Sequence, residues 1–383
     1  MTQNFDANQT IRSAKGLTKT DTNILKALAI LTIVLHNFFH VFPSWNIENE
    51  FDFKLERFQY LTNHISWNLL ETIPLLLSYF GHLGVQVFIF LSAYGLYQSS
   101  RNTKIDTADF VWNRISKLYP AFFLAVCLLV FLTIMSGNEE KIGEFLFYCF
   151  LRLTLTSNFF PNQSFNPCGP WWFYSMIVQF YILFPLMLKM LRKYGIEIFA
   201  LLSLITIAIE ITWNDQLIEK GWFIKTTILG HLPIVSLGLY FGHKKNFAIH
   251  PLIFICSCFV FVLGFYSKIL WHFSQVSIAV IILFLYMELK PRVGFLRNTL
   301  ISGFILFISS ISMYLFAVNG FLRHPFMLKL LNTDNIIFRL LILVAFVCFV
   351  IFVAVALKFA EENLRAFLKK INRTTKNIKS PGN

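Results

Sequence analysis

The stretch ILKALAILTIVLHNFFH, Ile24 to His40, is built mostly from Leu, Ile, Val, Ala and Phe. It carries one lysine near its start and two histidines near its end. A run of this length and apolarity is long enough to cross a bilayer as a helix, which takes about 20 residues. At 1.5 Å per residue, the ten steps from Lys26 to His36 cover about 15 Å. If Lys26 marks one edge of a hydrocarbon layer about 30 Å thick, His36 lies near its midplane. An ionisable ring there is costly unless it faces a bundle interior or a wet cavity. Two readings fit. His36 is a structural histidine bonded to a neighbouring helix, or it is a base reachable from both faces, with imidazole suited to proton transfer near neutral pH.

The rest of the chain agrees with the membrane reading. Of its 383 residues, 56% are hydrophobic and 14% charged. Mean hydropathy is +0.62. Soluble globular chains are nearer one quarter charged. The net charge of +13 raises the question of nucleic acid. The basic residues stand in short clusters between apolar runs and in the tails, not along one soluble face, so no nucleic-acid partner is expected. Of six cysteines, Cys168 alone sits in a clear loop and no C-x-x-C spacing occurs, which argues against a disulfide framework or a zinc site. The polar start of the chain does not read as a cleaved leader.

Ten apolar runs are candidate spans: 24–43, 80–98, 118–136, 170–188, 196–213, 225–242, 250–267, 273–289, 301–321 and 335–357. Asp21 and Thr22 are candidate N-caps of the first. The stretch 141–160 is apolar but interrupted by Arg152, and reads as an interfacial or re-entrant helix. The predicted fold is all-α: a polytopic bundle of about ten transmembrane helices surrounded by membrane lipid. Residues 1–21 form an N-terminal tail, 22–360 the membrane domain and 361–383 a basic C-terminal tail. With ten spans and both termini cytoplasmic, every basic cluster falls on one side: Arg12, Lys15 and Lys19; Arg101, Lys104, Arg114 and Lys117; Lys189, Arg192 and Lys193; Lys244 and Lys245; Lys290, Arg292 and Arg297; and the tail from Arg365 to Lys379. The first outer loop is acidic, with Glu48, Glu50, Asp52 and Glu56.

Three further stretches stand out. GHLGVQVFIFLSAYGLY, Gly81 to Tyr97, mixes small residues with large ones, as closely packed membrane helices do. FVWNRISKLYP brings Arg114, Lys117 and Pro120 to a helix entry. GPWWFYSMIVQFYILFP begins with Trp171 and Trp172 and holds Gln179, which needs a polar partner. His36 and His40 at i, i+4 also match a pair of metal ligands, but no HExxH motif accompanies them and no metal is expected. His64 and His82 read as interfacial. His231, His250 and His272 lie near helix ends, with ordinary hydrogen bonds expected. Glu71 and Glu210 could line a cavity. Arg323 and His324 read as a solvated loop.

The order of these features carries a resemblance. A basic residue and a histidine in the first helix precede G-V-x-x-F-x-x-L-S-x-x-G, then R-x-x-[RK]-x-Y-P, then W…Q-F-Y-x-x-x-P. This resembles the acyltransferase-3 family of multi-pass membrane acyltransferases, which includes O-acetyltransferases of bacterial surface glycans. The resemblance implies a protein of a bacterial plasma membrane. It would take an acyl group, commonly acetyl from acetyl-CoA, on the cytoplasmic side and deliver it to a hydroxyl of a surface carbohydrate. Acetyl-CoA is then a substrate, with no permanently bound cofactor. His36 takes the place of the catalytic histidine. Lys26, Arg114 and Lys117 take the places of the residues that hold the CoA phosphates. Trp172, Gln179 and Asn319 fall where the carbohydrate or acyl group would be contacted. The chain departs from the pattern in several places. Nine residues separate Lys26 from His36 where the family has ten, so Asn37 keeps the register. Lysine replaces arginine at 26 and 117, Ile177 replaces a glutamate, and Asn319 stands where many members have histidine. An exporter of a polysaccharide precursor, with His36 as proton relay, is the alternative that the residues leave open.

Overall fold

Thr18 decides where the first helix begins. Its side chain accepts from the Asp21 amide while the Asp21 carboxylate accepts from the Thr18 amide at 2.8 Å, a reciprocal capping box. Helix α1 therefore runs Lys19–Phe39, with Asp21 in its first turn where the sequence reading has it as a cap. The Asp21 carboxylate also receives Tyr286 and Lys290, at 2.7 and 2.8 Å, from a helix far along the chain.

The protein is known here from a computed structural model, which describes residues 16–40, 42, 46–137, 141–244, 247–290, 299–331 and 335–378. Arg12, Lys15, Lys245, Arg292, Arg297 and Lys379 of the basic clusters lie outside the described residues. After α1 come α2 Leu55–His64, α3 Leu69–Phe80, α4 Gly84–Ser100, α5 Thr107–Met135, α6 Ile142–Leu153 and α7 Trp172–Tyr194. Then follow α8 Glu197–Glu219, α9 Ile228–His243, α10 Pro251–Leu263, α11 Lys268–Leu289, α12 Thr299–Leu322, α13 His324–Leu331 and α14 Ile336–Ile378. No strand occurs among the described residues.

The all-α fold is as the apolar pattern predicts. Among the described residues, eight helical segments are long and apolar enough to cross a membrane, and α9 and α10 are shorter apolar helices. Together these ten occupy the ten apolar runs. At 13 residues, α10 is about 20 Å long, short of a 30 Å layer. The stretch 141–160 contains a 12-residue helix, α6, and its Arg152 is fully buried. Helix α5 starts eleven residues before the predicted run, because Asp106 caps it by accepting from the Asp109 amide at 2.9 Å. Arg114 and Lys117 consequently lie inside the helix, not at its entry. Helix α14 passes through residue 360 without a break, so the membrane domain and the described part of the basic tail share one helix.

Helix α1 packs against α3, α4 and α12, while α4 packs on α9 and α10 on α11. Lipid tails are as apolar as leucine, so such contacts depend on close fit more than on solvent exclusion. Gly81 and Gly84 bracket the 3-10 turn Gly81–Leu83 between α3 and α4 and let it lie directly on α1. A Cβ at Gly81 would stand 2.6 Å from His36 Cβ and 2.8 Å from the Thr32 carbonyl. One at Gly84 would stand 2.7 Å from the Ala29 carbonyl. Neither obstacle is the tip of a flexible chain. Gly81→Ala is expected to lift the turn from α1 and to destabilise the protein by about 1–3 kcal/mol, the usual cost of overpacking. Thermal unfolding in detergent measures it, and an unchanged midpoint would show that the contact has slack.

Candidate functional site

The turn pressed on α1 brings a backbone carbonyl to a side chain. His36 is buried, and its Nδ1 lies 2.9 Å from the carbonyl oxygen of Ser78. A carbonyl only accepts, so Nδ1 carries the proton and Nε2 keeps its lone pair. This bond fixes both the tautomer and the ring plane. The His40 ring stacks on His36 with centroids 4.9 Å apart, and His82 meets it edge-on at 5.5 Å. His82 is thus an interior residue, not an interfacial one.

Two cavities adjoin along α1. A larger one of about 220 Å³ is lined by Lys26, Ser92, Tyr181 and Ser312 among apolar side chains. A smaller one of about 70 Å³ is lined by His36, Asn37, His40, His82, Glu48, Glu50 and Trp172. Both use Ile33, Val85 and Phe316 as walls. From Lys26 to His40 the lining residues of α1 extend over about 21 Å. The larger cavity holds one cation, Lys26, among mostly apolar side chains; the smaller gathers three histidines and two acids between apolar walls.

The polar end owes its character to the loop after α1. Glu48 Oε1 lies 3.9 Å from His40 Nε2, and Glu48 Oε2 is buried without a hydrogen-bond partner among the described residues. Burial pushes the Glu48 carboxyl up to about 7, against the opposing pull of Arg57 and Arg323. Burial, with Glu48 beside it, holds Glu50 well above the usual carboxylate range. Both acids entered the sequence reading only as an outer-loop charge. The Arg323 guanidinium also turns inward and donates to the Asn37 carbonyl, where a solvated loop was expected.

The other residues singled out by sequence separate into groups. Lys26 and Trp172 line the cavities. The Trp172 ring stacks on His231 at 5.3 Å and meets Phe51 edge-on. Arg114 is half-buried, lies over the Phe110 ring and lines neither cavity. Asn319 is fully buried behind the smaller cavity, where its Oδ1 accepts from Asn37 Nδ2 at 2.7 Å. Its own amide donates to the carbonyls of Leu315 and Phe316. Lys117 is exposed and lines neither cavity. Gln179 lies away from both as well: its Oε1 accepts from the Ile228 amide at 3.1 Å, which supplies the polar partner at the start of α9. Among the described residues no cluster of three or more His, Cys, Asp and Glu is arranged to hold a metal.

The helices are long and apolar enough to span a membrane, and a buried histidine of the first of them lines an internal cavity. Residues 20–359 match the model of an acyltransferase domain, acyltransferase-3, and the chain belongs to that family. It is a membrane acyltransferase. No curated protein and no solved structure matches the chain.

The raised Glu48 carboxyl has a consequence for stability. Its folded value lies above the ordinary one, so its contribution is fully present below about pH 4.5 and is lost as pH rises through about 7. Glu48→Gln removes that dependence. Relative to the parent, the variant is expected to unfold at higher temperature at about pH 8 and at an equal temperature at about pH 4. A parallel pair of profiles across that window would contradict the burial cost assigned to Glu48.

Proposed function

We propose that the protein moves an acyl group, acetyl in the simplest case, from cytoplasmic acyl-CoA to a hydroxyl of a cell-surface carbohydrate. The observation that carries this reading is the pair of adjoining cavities, with His36 in the smaller one about one helical turn beyond Ile33, which lines both. With both termini cytoplasmic, the Lys26 end faces the cytoplasm and the Glu48 end faces outward. Lys26 and Arg114 attract the phosphates of CoA. The narrow apolar cavity suits the uncharged pantetheine arm, which brings the thioester toward His36. The carbohydrate enters past the 46–50 loop, with the Trp172 indole offering an apolar face to the sugar ring.

The chemistry then needs one proton carrier. The lone pair on His36 Nε2 takes the proton of the acceptor hydroxyl as its oxygen attacks the thioester carbonyl. The C–S bond breaks as the tetrahedral intermediate collapses, and the same imidazolium returns the proton to the departing thiolate. Nothing is oxidised or reduced, and no net proton is gained or lost. The Ser78 carbonyl stabilises the Nδ1–H of the imidazolium throughout, as the orienting partner of a general base does.

His36→Ala is expected to insert and fold but to leave the surface glycan without its acyl mass, read by mass spectrometry of glycans from cells with and without the variant. Near-normal acylation would remove His36 from the chemistry. Arg114→Ala is expected to raise the KM for acetyl-CoA about tenfold, the loss of about 1.4 kcal/mol of charge-assisted binding. An unchanged KM would place the donor elsewhere.

A further inference from the structure

Both walls at the polar end of the site trace back to one buried cation. Lys225, in the 3-10 turn Ile224–Thr226 between α8 and α9, is 1% exposed. Its Nζ lies 3.1 Å from Glu210 Oε2 of α8, and the same oxygen accepts from His272 Nδ1 of α11 at 2.9 Å. The ammonium also sits 4.5 Å from the centre of the Trp271 ring. A cation held over an indole face favours one ring plane. In that plane Trp271 Nε1 donates at 2.8 Å to the carbonyl of Asn49, the residue between Glu48 and Glu50. The Lys225 carbonyl in turn accepts from His231 Nε2 at 2.8 Å, and His231 stacks on Trp172.

The loop needs this support. Residues 46–49 have no regular structure, so side chains must fix them. Arg57 of α2 holds one side by donating to the Glu48 carbonyl at 2.8 Å. The Asn49 side chain is tied to the Lys54 backbone and the Tyr79 hydroxyl, and Trp271 holds the Asn49 carbonyl. A fully buried ion cluster is a poor source of stability, since apolar residues of equal size often do as well. A geometric role accounts for its presence better than an energetic one.

We propose that Trp271, held in plane by Lys225, Glu210 and His272, is a positioning residue for the acceptor end of the site, fixing the 46–50 loop so that Glu48 and Glu50 wall the cavity of His36. The assignment of that end to the acceptor rests on the acyl-transfer reading above. The positioning itself does not. Trp271 touches neither reacting group; it acts through the Asn49 backbone.

Trp271→Phe keeps the ring over which Lys225 lies and deletes the single N–H. Hydrogen–deuterium exchange on the detergent-purified full chain reads the loop without any need for activity. Peptides covering 46–54 are expected to exchange about tenfold faster than in the parent, the loss of one buried hydrogen bond, while α1 peptides are unchanged. Equal exchange in the loop would overturn the positioning. In an acetyl-transfer assay with labelled acetyl-CoA and surface glycan from a gene-deleted host, the acceptor KM is expected to rise about fivefold with the acetyl-CoA KM unchanged. A donor KM that rises equally, or neither KM rising, would overturn the acceptor-end role. A second variant, Lys225→Met with Glu210→Leu, removes the pair without stranding a charge and is expected to shift the acceptor KM in the same direction. An unaltered acceptor KM in that variant would sever Lys225 from the role. Loop exchange that changes while His36→Ala remains active would sink the base and leave the clasp standing.

Discussion

The hydrogen bond from His36 to the Ser78 carbonyl is the constraint on which the site depends. Everything nearby is arranged to allow it. The Ser78 carbonyl lies in the last turn of α3, just before the 3-10 turn Gly81–Leu83. That turn reaches α1 because Gly81 and Gly84 present no side chain. The bond turns an expensive polar ring into a satisfied one, yet it satisfies only one nitrogen. The other stays a base. A histidine locked in this manner is compatible with both readings of its position, since the bond to Ser78 leaves the Nε2 lone pair for the proposed proton transfer.

The polar end of the site is a place where the fold gives up stability. Two carboxyls are buried close together, one with an oxygen that has no partner among the described residues. Such groups are costly, and they concentrate where a protein performs chemistry or binds polar ligands. The same holds for the buried cluster around Lys225. Ion pairs of this kind fix direction better than they add stability. Together they hold a short loop, without regular structure of its own, against helices that come from distant parts of the chain.

Much of the architecture was legible in advance. Long apolar runs are local signals, and each of the ten falls on a helix. Lys26 and His36 were visible because charge and imidazole stand out against leucine. The start of α1 was misplaced because the apolar pattern begins later than the capping box, and the start of α5 because Asp106 lies well outside the run. The site was legible only in part. His82 looked interfacial because its depth depends on the turn that folds it onto α1. Glu48 and Glu50 looked like ordinary loop acids because their burial is tertiary. The Trp271 bond joins residues 222 positions apart, a pairing that no short-range pattern reveals. Gln179 needed a partner, as its sequence context said, but the partner is a helix N-terminus.

In the proposed reaction an acyl donor threads along α1 from Lys26 to the unprotonated nitrogen of His36. A structure of the protein with a non-transferable acetyl-CoA analogue tests it most directly. The analogue's phosphates are expected beside Lys26 and Arg114, the pantetheine arm in the larger cavity, and the acyl carbon within about 6 Å of His36 Nε2, leaving room for one hydroxyl between. A donor bound with its acyl carbon outside both cavities would contradict it.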